Sequence, residues 1–167
     1  TLILCPTREL CLQISGDLTD YSKYIDDIKI LPVYGGSSID SQIRSLKRGV
    51  HIIVATPGRL LDLIKRKTVS LDNVHTVVLD EADEMLNMGF TEDLDEILSY
   101  VPTTRSMLLF SATMPKGIDR ITRKYMKDPM EITIGRKNEG ALNVRHIYYV
   151  VHAKDKYLAL KRIVDFY

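Results

Sequence analysis

Short apolar runs alternate with amphipathic stretches along most of the chain. The runs at 2–5, 30–34, 52–56, 76–80, 107–111 and 130–134 are rich in Ile, Val and Leu, or carry apolar residues in succession. Runs apolar on both faces predict strands of a parallel sheet covered on both sides. Between them the apolar spacing becomes helical. Leu10, Ile14, Leu18 and Tyr21 form one stripe; Ile39, Ile43 and Leu46 form a second, with Gly49 placed to end that helix. Leu94, Ile97, Leu98 and Val101 follow Thr91, which reads as a cap, with Glu92 and Asp93 in the first turn. Ile118, Ile121 and Tyr125 follow Pro115, near a helix start. Strand–helix alternation of this kind predicts a three-layer α/β domain.

The pattern changes near residue 135. The stretch 135–143 is polar with two glycines and reads as a linker. A strand at 146–152 is expected next, then a helix carrying Tyr157, Leu160, Val164 and Tyr167 on one face. One strand and one helix do not make a core. The expected organisation is a first domain at 1–135, a linker at 136–143, and the start of a second domain at 144–167.

Composition narrows the function classes only slightly. The 167 residues are 45% hydrophobic and 27% charged, as soluble globular domains are. With 23 basic against 22 acidic side chains, the net charge is +1, so any nucleic-acid site must be local. No apolar run approaches a membrane span. Cys5 and Cys11 read as reduced thiols of a cytoplasmic protein. His51, His75, His146 and His152 show no metal-ligand spacing. Lys116, Arg120, Arg123, Lys124 and Lys127 read as a solvated basic helix face, and the methionines within 84–88 as core filling. The chain opens inside an apolar run without a starting methionine, so it is expected to be an internal piece of a longer protein.

The chemistry-bearing residues all follow strands. Asp80-Glu81-Ala82-Asp83 ends the apolar run Val77-Val78-Leu79. Carboxylates at the carboxyl edge of a parallel sheet sit where open α/β folds bind ligands. One suits a hard Mg²⁺ ion held through water, and its neighbour can orient or deprotonate an attacking water. The same residues would also serve as an acidic helix start. Ser111-Ala112-Thr113 follows the next apolar run, and its hydroxyls can hydrogen-bond a carboxylate such as Asp83, or simply cap a helix. Thr56-Pro57-Gly58-Arg59 offers free N–H groups at a helix start, a hydroxyl and an arginine, a set suited to phosphate. Pro6-Thr7-Arg8-Glu9 has the same logic, and Gly35-Gly36 would let a backbone approach closely. Each of these also reads, alone, as an ordinary turn or helix start.

Taken in order, PTREL, GG, TPGRL, DEAD with its trailing EMLNMGF, and SAT resemble the DEAD-box ATP-dependent RNA helicase family across essentially the whole chain. The resemblance implies a RecA-like parallel sheet using ATP and Mg²⁺. It implies that Asp80 helps hold Mg²⁺, that Glu81 positions or activates the attacking water, and that Asp83 bonds Ser111 and Thr113 and relays nucleotide state. Pro6, Thr7 and Arg8, Gly35 and Gly36, and Thr56, Pro57, Gly58 and Arg59 would line a track for the RNA sugar-phosphate backbone, read without sequence preference.

Departures from the family limit what it implies. No G-x-x-x-x-G-K-[ST] phosphate loop occurs in the sequence, and Cys11 stands where alanine is more usual. The sheet is therefore expected to lack the phosphate-loop strand, which in the family separates the 107–111 and 130–134 strands. The latter is then expected at a sheet edge or mispaired with 107–111. The 167 residues alone are expected to hold neither ATP nor Mg²⁺ tightly and to be inactive. The alternative is a non-catalytic RNA-binding or scaffold domain derived from a helicase; a different phosphate-loop enzyme, such as a DNA helicase, fits the DEAD and SAT pair poorly.

Overall fold

A computed structural model describes residues 1–134, 145 and 147–167. The described residues separate into two units, Thr1–Ile132 and Thr133–Tyr167.

The first unit is built on five parallel strands: β1 (Leu2–Leu4), β2 (Ile30–Val33), β3 (Ile52–Ala55), β4 (Thr76–Leu79) and β5 (Ser106–Leu109). Their order across the sheet is β2-β3-β1-β4-β5. β1 is the central strand, and all three of its residues are buried. Pro32 lies within β2, an edge strand, where its missing N–H removes no ladder bond from the sheet interior.

Alternation along the strands gives the sheet two apolar faces. Leu2, Leu4, Val33, Ala55, Val77 and Leu79 belong to the larger cluster. Side chains of α2 (Ile39–Lys47), α3 (Pro57–Lys65), α4 (Ala82–Asn87), α5 (Thr91–Ser99) and α6 (Lys116–Tyr125) complete it. On the opposite face Ile3, Cys5 and Val54 pack with Cys11 of α1 (Arg8–Tyr21). The result is a three-layer RecA-like α/β sheet.

Local sequence sets the helix ends. Pro57 is the first residue of α3, where its fixed φ suits the helix. Gly49 follows α2 at φ +78°, a conformation that costs glycine little, and its N–H bonds the Leu46 carbonyl at 2.9 Å. Two details differ from the sequence reading. Thr91 is the first residue of α5, and Phe90 is the capping position. Tyr21 and Met88 are exposed, although Met85 is fully buried. The basic residues of α6 and Lys127 are exposed, as the sequence suggests, with Asp95 at 3.6 Å from Arg120 and 3.3 Å from Lys124.

Two expected strands are absent. Residues 130–134 lie in no strand, and Met130, Ile132 and Ile134 are exposed. The strand expected at a sheet edge or mispaired with β5 is therefore not formed. A strand persists only where a neighbour supplies its ladder, and no strand ladder among the described residues includes 130–134. The same reason accounts for the absence of strand at 147–152. His146 and the expected linker at 135–143 lie outside the described residues. The predicted terminal helix is present as α7 (Lys156–Phe166), after a 3₁₀ turn at Ala153–Asp155.

β5 closes the sheet with one ladder edge facing no strand among the described residues. Leu108 and Phe110, on the same face as α1, are 44% and 53% exposed. An apolar open edge is a template for pairing with another chain. The 167-residue chain is therefore expected to self-associate with rising concentration in analytical ultracentrifugation. Leu108→Lys with Phe110→Lys should shift it toward monomer; a wild-type chain that stays monomeric throughout would contradict this.

Candidate functional site

Because all five strands run parallel, the five chemistry-bearing segments fall on one sheet edge. Strand order then sorts them: Gly35-Gly36 after β2, Thr56–Arg59 after β3, Pro6–Arg8 after β1, Asp80–Asp83 after β4 and Ser111–Thr113 after β5. At about 4.8 Å between neighbouring strands, the row spans about 19 Å. The segments suited to phosphate backbone occupy three adjacent exits. The carboxylates and hydroxyls occupy the other two.

The carboxylate half is tightly tied. The Asp80 N–H donates to the Leu4 carbonyl at 2.9 Å, and the Ala82 N–H to the Phe110 carbonyl at 3.0 Å. Between them Glu81 is left-handed, with φ 50° and ψ 50°. A non-glycine residue held there costs about 1–2 kcal/mol, and such strain concentrates at functional sites. It turns the chain abruptly from β4 into α4 and leaves Glu81 exposed. Asp80 Oδ1 accepts the Glu81 N–H at 3.0 Å.

Asp83 is buried at the start of α4 and joined to the β5 exit. Its Oδ2 accepts from Thr113 Oγ1 at 2.6 Å and from the Thr113 N–H at 2.9 Å. Its own N–H donates to Ser111 Oγ at 3.2 Å, and that hydroxyl donates to the Thr113 carbonyl at 2.7 Å. Burial pushes the Asp83 carboxyl up, but the Thr113 and Ser111 side chains and nearby backbone N–H groups outweigh it. The carboxyl is held below the usual carboxylate range. Asp83 Oδ1 is buried without a hydrogen-bond partner.

In the other half, Thr7 caps α1, its Oγ1 accepting the Leu10 N–H at 3.2 Å, so the capping reading of that segment is realised. The Arg8 guanidinium lies over the Tyr34 ring, 5.0 Å from its centroid, within cation–π range. Gly36 has φ +78°, which favours glycine; a Cβ there would meet Arg8 Nη1 at 3.6 Å, an ordinary contact, so the backbone and not the space calls for glycine. Thr56 precedes Pro57 without a side-chain capping bond. Arg59 turns to the protein: its Nη1 donates to the Ser37 carbonyl and to Gln42 Oε1, each at 3.1 Å. Gln42 and Tyr34 were missed in the sequence reading. A single Gln beside Ile43 reads as helix surface, and Tyr34 as the end of a strand.

The donor set bears on metal chemistry. Among the described residues no group of three or more His, Cys, Asp or Glu could cage an ion. Asp80 alone, at a strand end, fits instead a hard ion that keeps most of its waters and leans on substrate phosphates.

A RecA-like parallel sheet whose neighbouring exits carry linked DEAD and SAT segments defines the class of domain. The model of the DEAD/DEAH box helicase family matches residues 1–121. The chain is 49% identical, over 98% of its length, to the DEAD-box ATP-dependent RNA helicase CshA of Geobacillus kaustophilus, covering 35% of that protein. It is 51% identical, over the same share, to the ATP-dependent RNA helicase CshA of Listeria monocytogenes, covering 31%. A crystal structure of a DEAD box protein from Methanococcus jannaschii superposes with TM-score 0.74 and 43% identity, over 98% of this chain and 43% of that one. The chain belongs to the DEAD/DEAH box helicase family and spans about a third of the length of these curated relatives.

Proposed function

We propose that this chain is the part of an ATP-dependent RNA helicase that links ATP hydrolysis to its grip on the RNA backbone. The observation carrying this reading is the sorting of the sheet edge into a phosphate-backbone half and a carboxylate half, adjoining at β1 and β4.

In the carboxylate half, Asp80 would hold Mg²⁺ through water, and Glu81 would orient the attacking water and take its proton. When bound, the ion would neutralise charge developing on the phosphate oxygens. Asp83 would do no chemistry itself. Its bonds to Thr113 and Ser111 would tie the position of α4 to the β5 exit. In the other half, Arg8, Gly35, Gly36, Thr56, Pro57, Gly58 and Arg59 would meet sugar-phosphate, with Pro6 and Thr7 shaping the turn that presents Arg8. Such contacts carry no base information. Residues 136–143 would link this domain to a second one beginning within 144–167, and the protein would act in the cytoplasm. No helix among the described residues is long and apolar enough to cross a membrane.

Residues 1–167 contain no phosphate-binding loop sequence, so they alone are expected to show no RNA-stimulated ATP turnover. They are expected to bind single-stranded RNA weakly, without sequence preference, and less as salt rises. Arg8→Ala should weaken that binding alike for unrelated sequences in a fluorescence anisotropy titration. A sequence-selective loss, or none, would remove Arg8 from the phosphate track.

A further inference from the structure

Gln42 is 5% exposed, in a helix whose remaining polar residues face outward or sit half-buried. A buried primary amide is costly unless both its ends are satisfied. Here each end has one partner, from a different edge segment. Nε2 donates to the Tyr34 carbonyl at 3.1 Å, immediately before Gly35-Gly36. Oε1 accepts from Arg59 Nη1 at 3.1 Å. The partners fix the amide's orientation, since the reverse would set oxygen against carbonyl and NH₂ against guanidinium.

The consequence lies in how the arginine's donors are divided. A guanidinium has five N–H groups in a rigid plane. Gln42 and the Ser37 carbonyl take the two on Nη1. The Nε and Nη2 donors remain, and that edge is the fork that matches a phosphate with two parallel bonds. Tyr34 adds the third segment: its carbonyl is held by Gln42 while its ring lies beneath Arg8.

We propose that Gln42 is a positioning residue for RNA: it locks the Tyr34-Gly35-Gly36 turn to Arg59 and presents that arginine's remaining fork to a backbone phosphate. This rests on the RNA-backbone reading above and adds a residue outside the five edge segments. Gln42 touches no nucleotide; it acts through Arg59 and the glycine turn.

The test uses the whole protein, with RNA-stimulated ATP turnover and anisotropy of a labelled single-stranded RNA. Gln42→Met keeps the side-chain size and removes both bonds. It is expected to raise the KM for RNA about tenfold, the scale of one hydrogen bond to a charged group, with kcat at saturating RNA within about twofold of wild type. Combined with Arg59→Ala, it should add almost nothing to the loss caused by Arg59→Ala alone, because the two act as one unit. Gln42→Glu keeps the acceptor for Arg59 but sets an oxygen against the Tyr34 carbonyl, so it should bind RNA no better than Met, and it serves as the second variant should Met fold poorly. Additive losses, a fall confined to kcat, or a Glu variant that keeps wild-type affinity would overturn the proposal. If Arg59→Ala itself left RNA affinity unchanged, the phosphate-track reading of Arg59 would fail first. If Arg59→Ala weakened binding and Gln42→Met did not, the positioning role alone would fail.

Discussion

Glu81→Gln in the whole protein is expected to slow ATP hydrolysis at least about a hundredfold while leaving ATP binding largely intact. That is the usual scale for losing a positioned general base. Glu81 is exposed at the carboxyl end of β4, beside Asp80, and holds a strained left-handed backbone. Glutamine keeps the length, the polar tip and the backbone bond from Glu81 N–H to Asp80, so it removes proton acceptance with little else. Equilibrium binding of a fluorescent ATP analogue, with single-turnover hydrolysis, separates the two effects. Loss of binding in proportion to rate would place Glu81 in nucleotide recognition; an unchanged rate would remove it from the chemistry.

The second large effect is expected at the Asp83 link. Ser111→Ala with Thr113→Ala should weaken duplex unwinding far more than ATP hydrolysis. Thr113 supplies both partners of Asp83 Oδ2, and Ser111 receives the Asp83 N–H. Neither hydroxyl is needed for proton transfer in this account, so hydrolysis should persist while its result no longer reaches the β5 exit. Equal losses in both assays would sink the coupling role. The link also has a pH signature. Asp83 is held below the ordinary carboxylate range, so its stabilisation is complete above the unfolded value of about 3.9. It is lost only as pH falls through the lower folded value. Asp83→Asn should therefore lower the stability of the whole protein at neutral pH and narrow its difference from wild type in acid. A difference that did not shrink would contradict the assignment.

The core strands were legible because burial on both faces leaves an unambiguous trace. Leu2 to Leu4 and Ile52 to Ala55 could be little else, and parallel direction then placed every strand exit on one edge. The 130–134 segment was misjudged for a reason outside its own residues. Its apolar run is strand-like, but strand formation depends on a partner ladder, and Met130 and Ile132 have none among the described residues. Function-bearing polar residues showed a similar limit. Asp80, Asp83 and Thr113 were visible because they interrupt or follow apolar runs. Gln42 was not, since a single amide on an amphipathic helix looks like solvated surface until Tyr34 and Arg59 are seen on either side. Thr7 illustrates the opposite ambiguity, where the plain capping reading of a motif residue is also what the geometry uses.

The proposed function requires that one sheet edge join ATP hydrolysis to sequence-independent contact with RNA backbone. RNA-stimulated ATP turnover by the whole protein, measured with several single-stranded RNAs of unrelated sequence across a salt series, tests it most directly. Similar stimulation by every RNA, falling as salt rises and abolished by Glu81→Gln, is the predicted result. Turnover indifferent to RNA, or stimulated by one sequence alone, would contradict the account.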